Sequence, residues 1–247
     1  MQSLYSNGFE HIYDAMYKTF INYEDEYEFY SKIIDEHGKT NVLEIGSGTG
    51  NLAKKFINSH FNYTGLDLSY DMIALSKRKN PKGNFIQGDI TNFKLENKVD
   101  SVIITGRTTS YLLSNNSVYK ALNSIYKNLT SDGVLSFDFI DASRFFLEIK
   151  EGKFFQHKAT INDMFYNRES YMKPDKQADN FMFNWNATYF KNENGTLVKV
   201  TEDNSTVRAF TKNEWEIFLE LCNFKLIEFI DRKSYAFDTY VVVAQKK

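Results

Sequence analysis

Cysteine is almost missing from this 247-residue chain: Cys222 stands alone, so no intrachain disulfide can form. That fits a reducing compartment, and a cytoplasmic location is the expectation. Proline is nearly as scarce, at Pro81 and Pro174 only. An excess of charge of one sign is lacking too. Thirty Lys and Arg against 32 Asp and Glu leave a net −2, which offers no basic stripe to nucleic acid or to an anionic membrane. No apolar run reaches the roughly 18 residues of a membrane-spanning helix. Met1-Gln2-Ser3-Leu4-Tyr5 lacks the basic-then-apolar order of a secretory leader. His11, His37, His60 and His157 have no metal-ligand spacing, and no nucleophile-elbow sequence points to Ser-His-Asp catalysis. What is present, 42% hydrophobic and 25% charged residues, is ordinary for a globular chain with a substantial core.

Hydrophobic spacing predicts helix over residues 8–37, where Phe9, Ile12, Tyr13, Met16, Tyr17 and Phe20 share one face. Gly38 is a C-cap candidate. Short apolar runs then alternate with helical patterns. Strands are expected at Val42–Ile45, Phe61–Leu66, Asn84–Gln87, Val102–Thr105 and Val134–Ile140. Helices are expected from near Asn51, over 70–79 behind the N-cap candidate Ser69, and along Val118–Leu129. This rhythm implies an α/β, Rossmann-like, mostly parallel sheet flanked by helices. The rhythm breaks after the fifth strand. Phe181, Phe183, Trp185, Ala187 and Tyr189 alternate with mostly polar neighbours, and Asn194-Gly195 is a hairpin signal. We therefore expect an N-terminal helical cap at 1–40, an α/β unit at 41–140 and 211–247, and an antiparallel β insertion at 141–210. The last part of the α/β unit is a helix, Asn213–Cys222, and strands Lys225–Asp231 and Thr239–Ala244.

The most informative stretch is Val42-Leu43-Glu44-Ile45-Gly46-Ser47-Gly48-Thr49-Gly50, a buried strand running into a glycine turn. Glycines at alternate positions let a backbone pass close to a ligand. Asp67 ends the next strand, 17 residues after Gly50. A dinucleotide fingerprint needs a small residue at position 51, which is Asn. A P-loop needs Gly-Lys-Ser/Thr, which is absent. A tight turn without a ligand is the bland alternative.

Four segments in order resemble class I S-adenosylmethionine-dependent methyltransferases. They are Glu44-x-Gly46-x-Gly48-x-Gly50, Gly65-Leu66-Asp67-Leu68-Ser69 with Met72, Gln87-Gly88-Asp89-Ile90, and Asp132-Gly133-Val134-Leu135. Ile104-Thr105-Gly106-Arg107 through Tyr111-Leu112 falls where that family has its substrate loop after the fourth strand. The resemblance covers residues 8–140 and implies S-adenosyl-L-methionine as cofactor, with S-adenosyl-L-homocysteine as product. It places Tyr13, Glu44, Gly46, Ser47, Gly48, Asp67, Leu68, Met72, Asp89, Ile90 and Thr105 around the cofactor. Asp67 would accept from the two ribose hydroxyls, Asp89 from the adenine amino group, and the Ile90 N–H would donate to a ring nitrogen. Glu44 would orient the glycine loop. Asp67 and Asp89 read blandly as loop residues bonding nearby amides.

Phe9-Glu10-His11-Ile12-Tyr13-Asp14 resembles the entry helix of sugar-amine N,N-dimethyltransferases from antibiotic pathways, a small-molecule branch of that family. It implies roles for Tyr13, Tyr111 and Arg107 in catalysis, with Tyr17 a further candidate. Core packing is the alternative for the tyrosines. Arg107 reads as a holder of the cofactor's carboxylate, a holder of an anionic group on the substrate, or an ordinary surface arginine. The expected function is methyl transfer to a small molecule, most simply at an amine nitrogen, by a monomer or homodimer. Oxygen or carboxyl methylation and non-catalytic cofactor binding are the alternatives. The Asn/Asp-Pro-Pro-aromatic motif of DNA amino-methyltransferases is absent, and Cys222 lies far from any substrate loop.

Overall fold

The computed structural model describes residues 9–178, 180–234 and 238–247. Expectations for Met1 to Gly8 lie outside the described residues. The chain opens with two helices, α1 (Phe9–Tyr17) and α2 (Tyr23–Glu36). The periodicity predicted one helical stretch. It breaks because Asn22 caps α2, accepting from the Glu24 N–H, and Glu24, Asp25 and Glu26 fill the first turn, all favourable at a helix N-terminus. Gly38 follows α2 with φ of +64°, as the C-cap reading requires.

Five strands and three helices follow, alternating except that no helix separates β3 from β4: β1 (Asn41–Ile45), α3 (Ala53–Ile57), β2 (Asn62–Asp67), α4 (Tyr70–Lys79), β3 (Asn84–Gln87), β4 (Val99–Ile104), α5 (Asn115–Asn128) and β5 (Leu129–Ile140). A short 3-10 turn at Thr108–Tyr111 separates β4 from α5. Helix α3 starts two residues beyond Asn51, because positions 46–52 are consumed by the turn. A short helix not anticipated from the sequence, α6 (Ala142–Glu148), is capped by Asp141.

Four long strands come next, β6 (Lys153–Ile161), β7 (Met164–Pro174), β8 (Met182–Glu193) and β9 (Thr196–Arg208), then α7 (Lys212–Leu221), β10 (Phe224–Arg232) and β11 (Thr239–Lys246). Seven strands form one sheet in the order β10-β11-β5-β4-β1-β2-β3. The pairs from β3 to β5 are parallel, and β11 and β10 add on antiparallel. Chain order reverses at β1, between β2 and β4, and ligands bind at the carboxyl ends of strands at such a switch point.

Apolar side chains cover both faces of this sheet. Val118, Leu122 and Ile125 of α5, with Trp215 and Leu219 of α7, pack one face on Leu43, Val102 and Phe137. Tyr30, Ile33 and Ile34 of α2, with Phe56 of α3, pack the other on Val42, Ile103 and Val241. Strands β6 to β9 form a separate antiparallel sheet. Asn194 and Gly195 both take positive φ between β8 and β9, the geometry of a two-residue hairpin turn. Phe183, Ala187 and Tyr189 are buried, whereas Phe181 precedes β8 and is exposed. Met16 of α1 packs on Ala159, Ala187 and Tyr189, so α1 lies against the second sheet. Among the described residues no helix is long and apolar enough to cross a membrane.

Candidate active site

The turn after β1 is built by backbone that only glycine adopts easily. Gly46 has φ of +76°, and a Cβ there would lie 2.3 Å from the Thr108 Oγ1. Gly48 has φ of +52° with nothing within 4 Å of its Cβ position. The Gly46 and Ser47 N–H groups donate to the Leu66 carbonyl, which locks the turn to β2. Asp67, at the end of β2, accepts from the Gly48 N–H at 2.8 Å and the Ser69 N–H at 2.9 Å. Burial raises its pKa, and the backbone N–H bonds oppose that rise.

These groups sit at one end of a cleft of about 1070 Å³. Gly46, Gly48, Asp67, Leu68 and Met72 line it along β1, β2 and the start of α4. Asp89 and Ile90 line it from the loop after β3. Asp89 is exposed, and its Oδ1 accepts from the Thr91 N–H and hydroxyl, both at 2.8 Å. Tyr13, Arg107 and Tyr111 also reach the cleft, as do residues of β8 and β9 from the second sheet.

Three expected residues stand elsewhere. Glu44, Ser47 and Thr105 line a smaller adjoining cavity of about 100 Å³ instead. Glu44 is buried and accepts from the Tyr63 hydroxyl and, at 3.3 Å, from the Thr105 hydroxyl. Burial pushes its pKa up to about 7; the two hydrogen bonds oppose this, and the charges of Asp67 and Glu26 add to it. Ser47 is buried with its side chain against Gly65. Tyr13 stacks on Tyr17, ring centroids 3.9 Å apart, and borders both cavities.

The surface-arginine reading of Arg107 is wrong. Arg107 is 4% exposed and takes φ of +63°. Its N–H donates to the Asp138 Oδ1 at 2.8 Å, and its guanidinium donates to the Ser234 hydroxyl at 2.8 Å. Burial raises the Asp138 pKa to about 6, and the Arg107 charge and N–H oppose the rise. Tyr111, at the end of the 3-10 turn, is half exposed.

A second structural group was missed in the sequence. Asp14 of α1 accepts from the Thr49 hydroxyl, the Asn51 amide, Lys79 and Lys18. Burial alone would raise its pKa, but the Lys18, Lys79 and Thr49 hydrogen bonds outweigh it and hold the value near 2. Asn51 also accepts from Lys79 at 2.6 Å. This hub ties α1 and α4 to the glycine turn and gives Asn51 its role. No local signal marks it, since Asp14 shares its helix face with the charged Glu10 and Lys18.

The chain matches a family described as "Methyltransferase domain" over residues 42–133. It is 25% identical over 228 residues to YqeM of Bacillus subtilis (strain 168), a protein named for methyltransferase activity, covering 89% of this chain and 86% of that one. Several other curated relatives named as methyltransferases are matched over only about half their length. Among solved structures, DesVI of Streptomyces venezuelae superposes with a TM-score of 0.80 at 18% identity, covering 96% of this chain and 99% of that one. The sugar N-methyltransferase KedS8 of Streptoalloteichus sp ATCC 53650 also gives 0.80 at 18% identity, covering 100% and 98%. The chain accordingly carries a methyltransferase domain at residues 42–133, and its fold is that of S-adenosylmethionine-dependent methyltransferases.

Proposed function

We propose that the protein transfers a methyl group from S-adenosylmethionine to a small molecule, at an amine nitrogen. One observation carries the reading: a single cleft runs from the glycine turn and Asp67 to the inserted sheet. Sites for one drug-sized ligand occupy roughly 300–1,000 Å³. At about 1070 Å³ this cleft has room for the cofactor and an acceptor side by side. The small-molecule reading also draws on neighbours described as a sugar N-methyltransferase and an amino pentose methyltransferase.

The residues fit the cofactor. Open space at the Gly48 Cβ position leaves backbone bare at the cleft wall, where a ligand can approach. Each Asp67 oxygen accepts one backbone N–H and keeps lone-pair capacity for a ribose hydroxyl. The acceptor oxygens of Asp89 suit the adenine amino group, Ile90 offers its N–H to the ring, and Leu68 and Met72 supply apolar walls. Tyr13, stacked on Tyr17, and Tyr111 line the cleft and would enclose the reacting groups. Glu44, Ser47 and Thr105 act from behind the turn, holding it rather than touching the adenosine. When bound, the cofactor supplies an electrophilic sulfonium methyl, so the protein's task is alignment and exclusion of water.

Product analysis tests this reading. With labelled S-adenosylmethionine and a small-molecule library, mass spectrometry is expected to locate the label on nitrogen. Label only on oxygen or carboxylate would move the reaction class, and no product from any amine would count against transfer altogether.

A further inference from the structure

Resting on the methyl-transfer reading, we infer that the acceptor is a cationic amine without phosphate, held through its ammonium by Asp203 of the inserted sheet; the nitrogen takes the methyl in its neutral form, after its proton has passed to the Asp203 carboxylate and on to solvent. The register puts Asp203 opposite Ala187 and Ser205 opposite Trp185 in the β8–β9 pair. Directly opposed residues share a face, so Trp185, Asp203 and Ser205 present together, and all three line the cleft. Tyr17 lines it from the start of the chain. This end is remote in sequence from the adenosine-binding turns, and none of the nucleoside chemistry uses it.

The charge of the lining selects the ligand. Among the described residues the cleft wall carries five carboxylates, Asp67, Asp71, Asp89, Glu202 and Asp203, against one cation, Arg107. That arginine is already turned to Ser234 and lies beside Asp138. A wall of one sign favours the opposite charge and repels its own. A phosphate-bearing acceptor would meet repulsion from these five carboxylates, whereas an ammonium is attracted by them.

Within that wall Asp203 is the group built to hold a ligand. Its Oδ1 accepts from the Ser205 hydroxyl at 3.2 Å, which orients the carboxylate and leaves acceptor capacity free. Arg168 of β7 stands on this same face, opposite Tyr189 in the register, with its guanidinium 5.3 Å from the Trp185 ring centroid and 5.5 Å from that of Tyr189. Its positive charge favours the ionised carboxylate, against burial, which disfavours it. Trp185 and Tyr17 add aromatic faces, which attract an ammonium.

The test combines binding and turnover. A set of primary and secondary amines, each matched to its hydroxyl analogue and to a phosphate-bearing analogue, is titrated into the protein saturated with S-adenosylhomocysteine. Amines free of phosphate should bind and the matched compounds should not. For an accepted amine, Asp203→Asn should raise KM at least tenfold, on the scale of a lost hydrogen bond to a charged group, with a smaller change in kcat. Asp203→Glu should recover part of the loss. Unchanged affinity for S-adenosylhomocysteine and an unchanged Tm in both variants show that the fold persists. Preferential binding of hydroxyl or phosphate compounds, a KM within twofold of wild type in Asp203→Asn, or no amine bound by protein that binds S-adenosylhomocysteine would each overturn the inference. A folded protein that binds no S-adenosylhomocysteine removes the underlying reading as well.

Discussion

Asp14 and Glu44 are both buried carboxylates within reach of the glycine turn, yet they respond to pH in opposite ways. Asp14 has its folded pKa held down near 2 by Lys18, Lys79 and Thr49. Its contribution is full above the ordinary carboxylate range and is lost as pH falls toward 2. Asp14→Ala leaves the part-buried Lys79 beside the turn without its counter-charge. It should destabilise the protein by about 1–2 kcal/mol, between the values for exposed and buried pairs, read as a lower urea midpoint at neutral pH, with much of the difference gone in strong acid. Glu44 has its folded pKa raised to about 7 by burial. Because the folded state holds this proton more tightly than the unfolded chain, the term is favourable in acid. It is lost as pH rises from about 4.5 through 7. Between those limits Glu44→Gln should show a shallower fall of stability than wild type; equal slopes would mean that Glu44 does not titrate there. Asp67, Asp89 and Met72 line the cleft, and they were expected there because their segments resemble the motifs of a known family. Asp14 could not be placed from sequence, since its partners Thr49, Asn51 and Lys79 lie 35, 37 and 65 positions away. The burial of Arg107 was hidden for the same reason: it depends on Asp138 and Ser234, 31 and 127 positions away.

At the scale of elements, the glycine turn separates stability from ligand binding. A Cβ at Gly46 would strike Thr108, whose hydroxyl is held by the Thr105 carbonyl at 2.8 Å, and the positive φ adds about 1–2 kcal/mol of strain. Gly46→Ala should therefore lower Tm and weaken cofactor binding together. Gly48→Ala meets no protein atom within 4 Å. It should lower Tm less and weaken S-adenosylhomocysteine binding more, as calorimetry and thermal unfolding on the same samples would show. Helix α7 carries a capping box between Thr211 and Glu214, and Glu214 also accepts from the buried Arg208 at 2.7 Å. Thr211→Ala should cost about 1 kcal/mol without changing cofactor affinity. The strand–helix alternation was legible because buried parallel strands read as short apolar runs. The helix break at 18–22 was not, since aromatic spacing runs straight through it to Phe20 and only the Asn22 cap marks the new start.

At the scale of the whole molecule, two sheets and one N-terminal helix meet at the cleft. The parallel sheet provides the switch point at β1, and the antiparallel sheet supplies Trp185, Asp203 and Ser205 on the far wall. Helix α1 touches both, through Asp14 to the glycine turn and through Met16 to the second sheet. The sequence showed that an antiparallel segment follows the fifth strand. Which of its residues line the cleft depends on packing between distant segments, which local alternation does not record. The division of labour predicts that changes on β9 alter acceptor affinity and leave the cofactor end intact.

The central claim is that Asp67 and the glycine turn hold a nucleoside cofactor for methyl transfer. Calorimetric titration of wild type and Asp67→Ala with S-adenosylhomocysteine tests it most directly. The account predicts saturable binding by wild type, and a loss of more than about 1 kcal/mol in the variant through its missing ribose hydrogen bonds. Absence of binding by folded wild-type protein, or equal affinity of the two proteins, would contradict it.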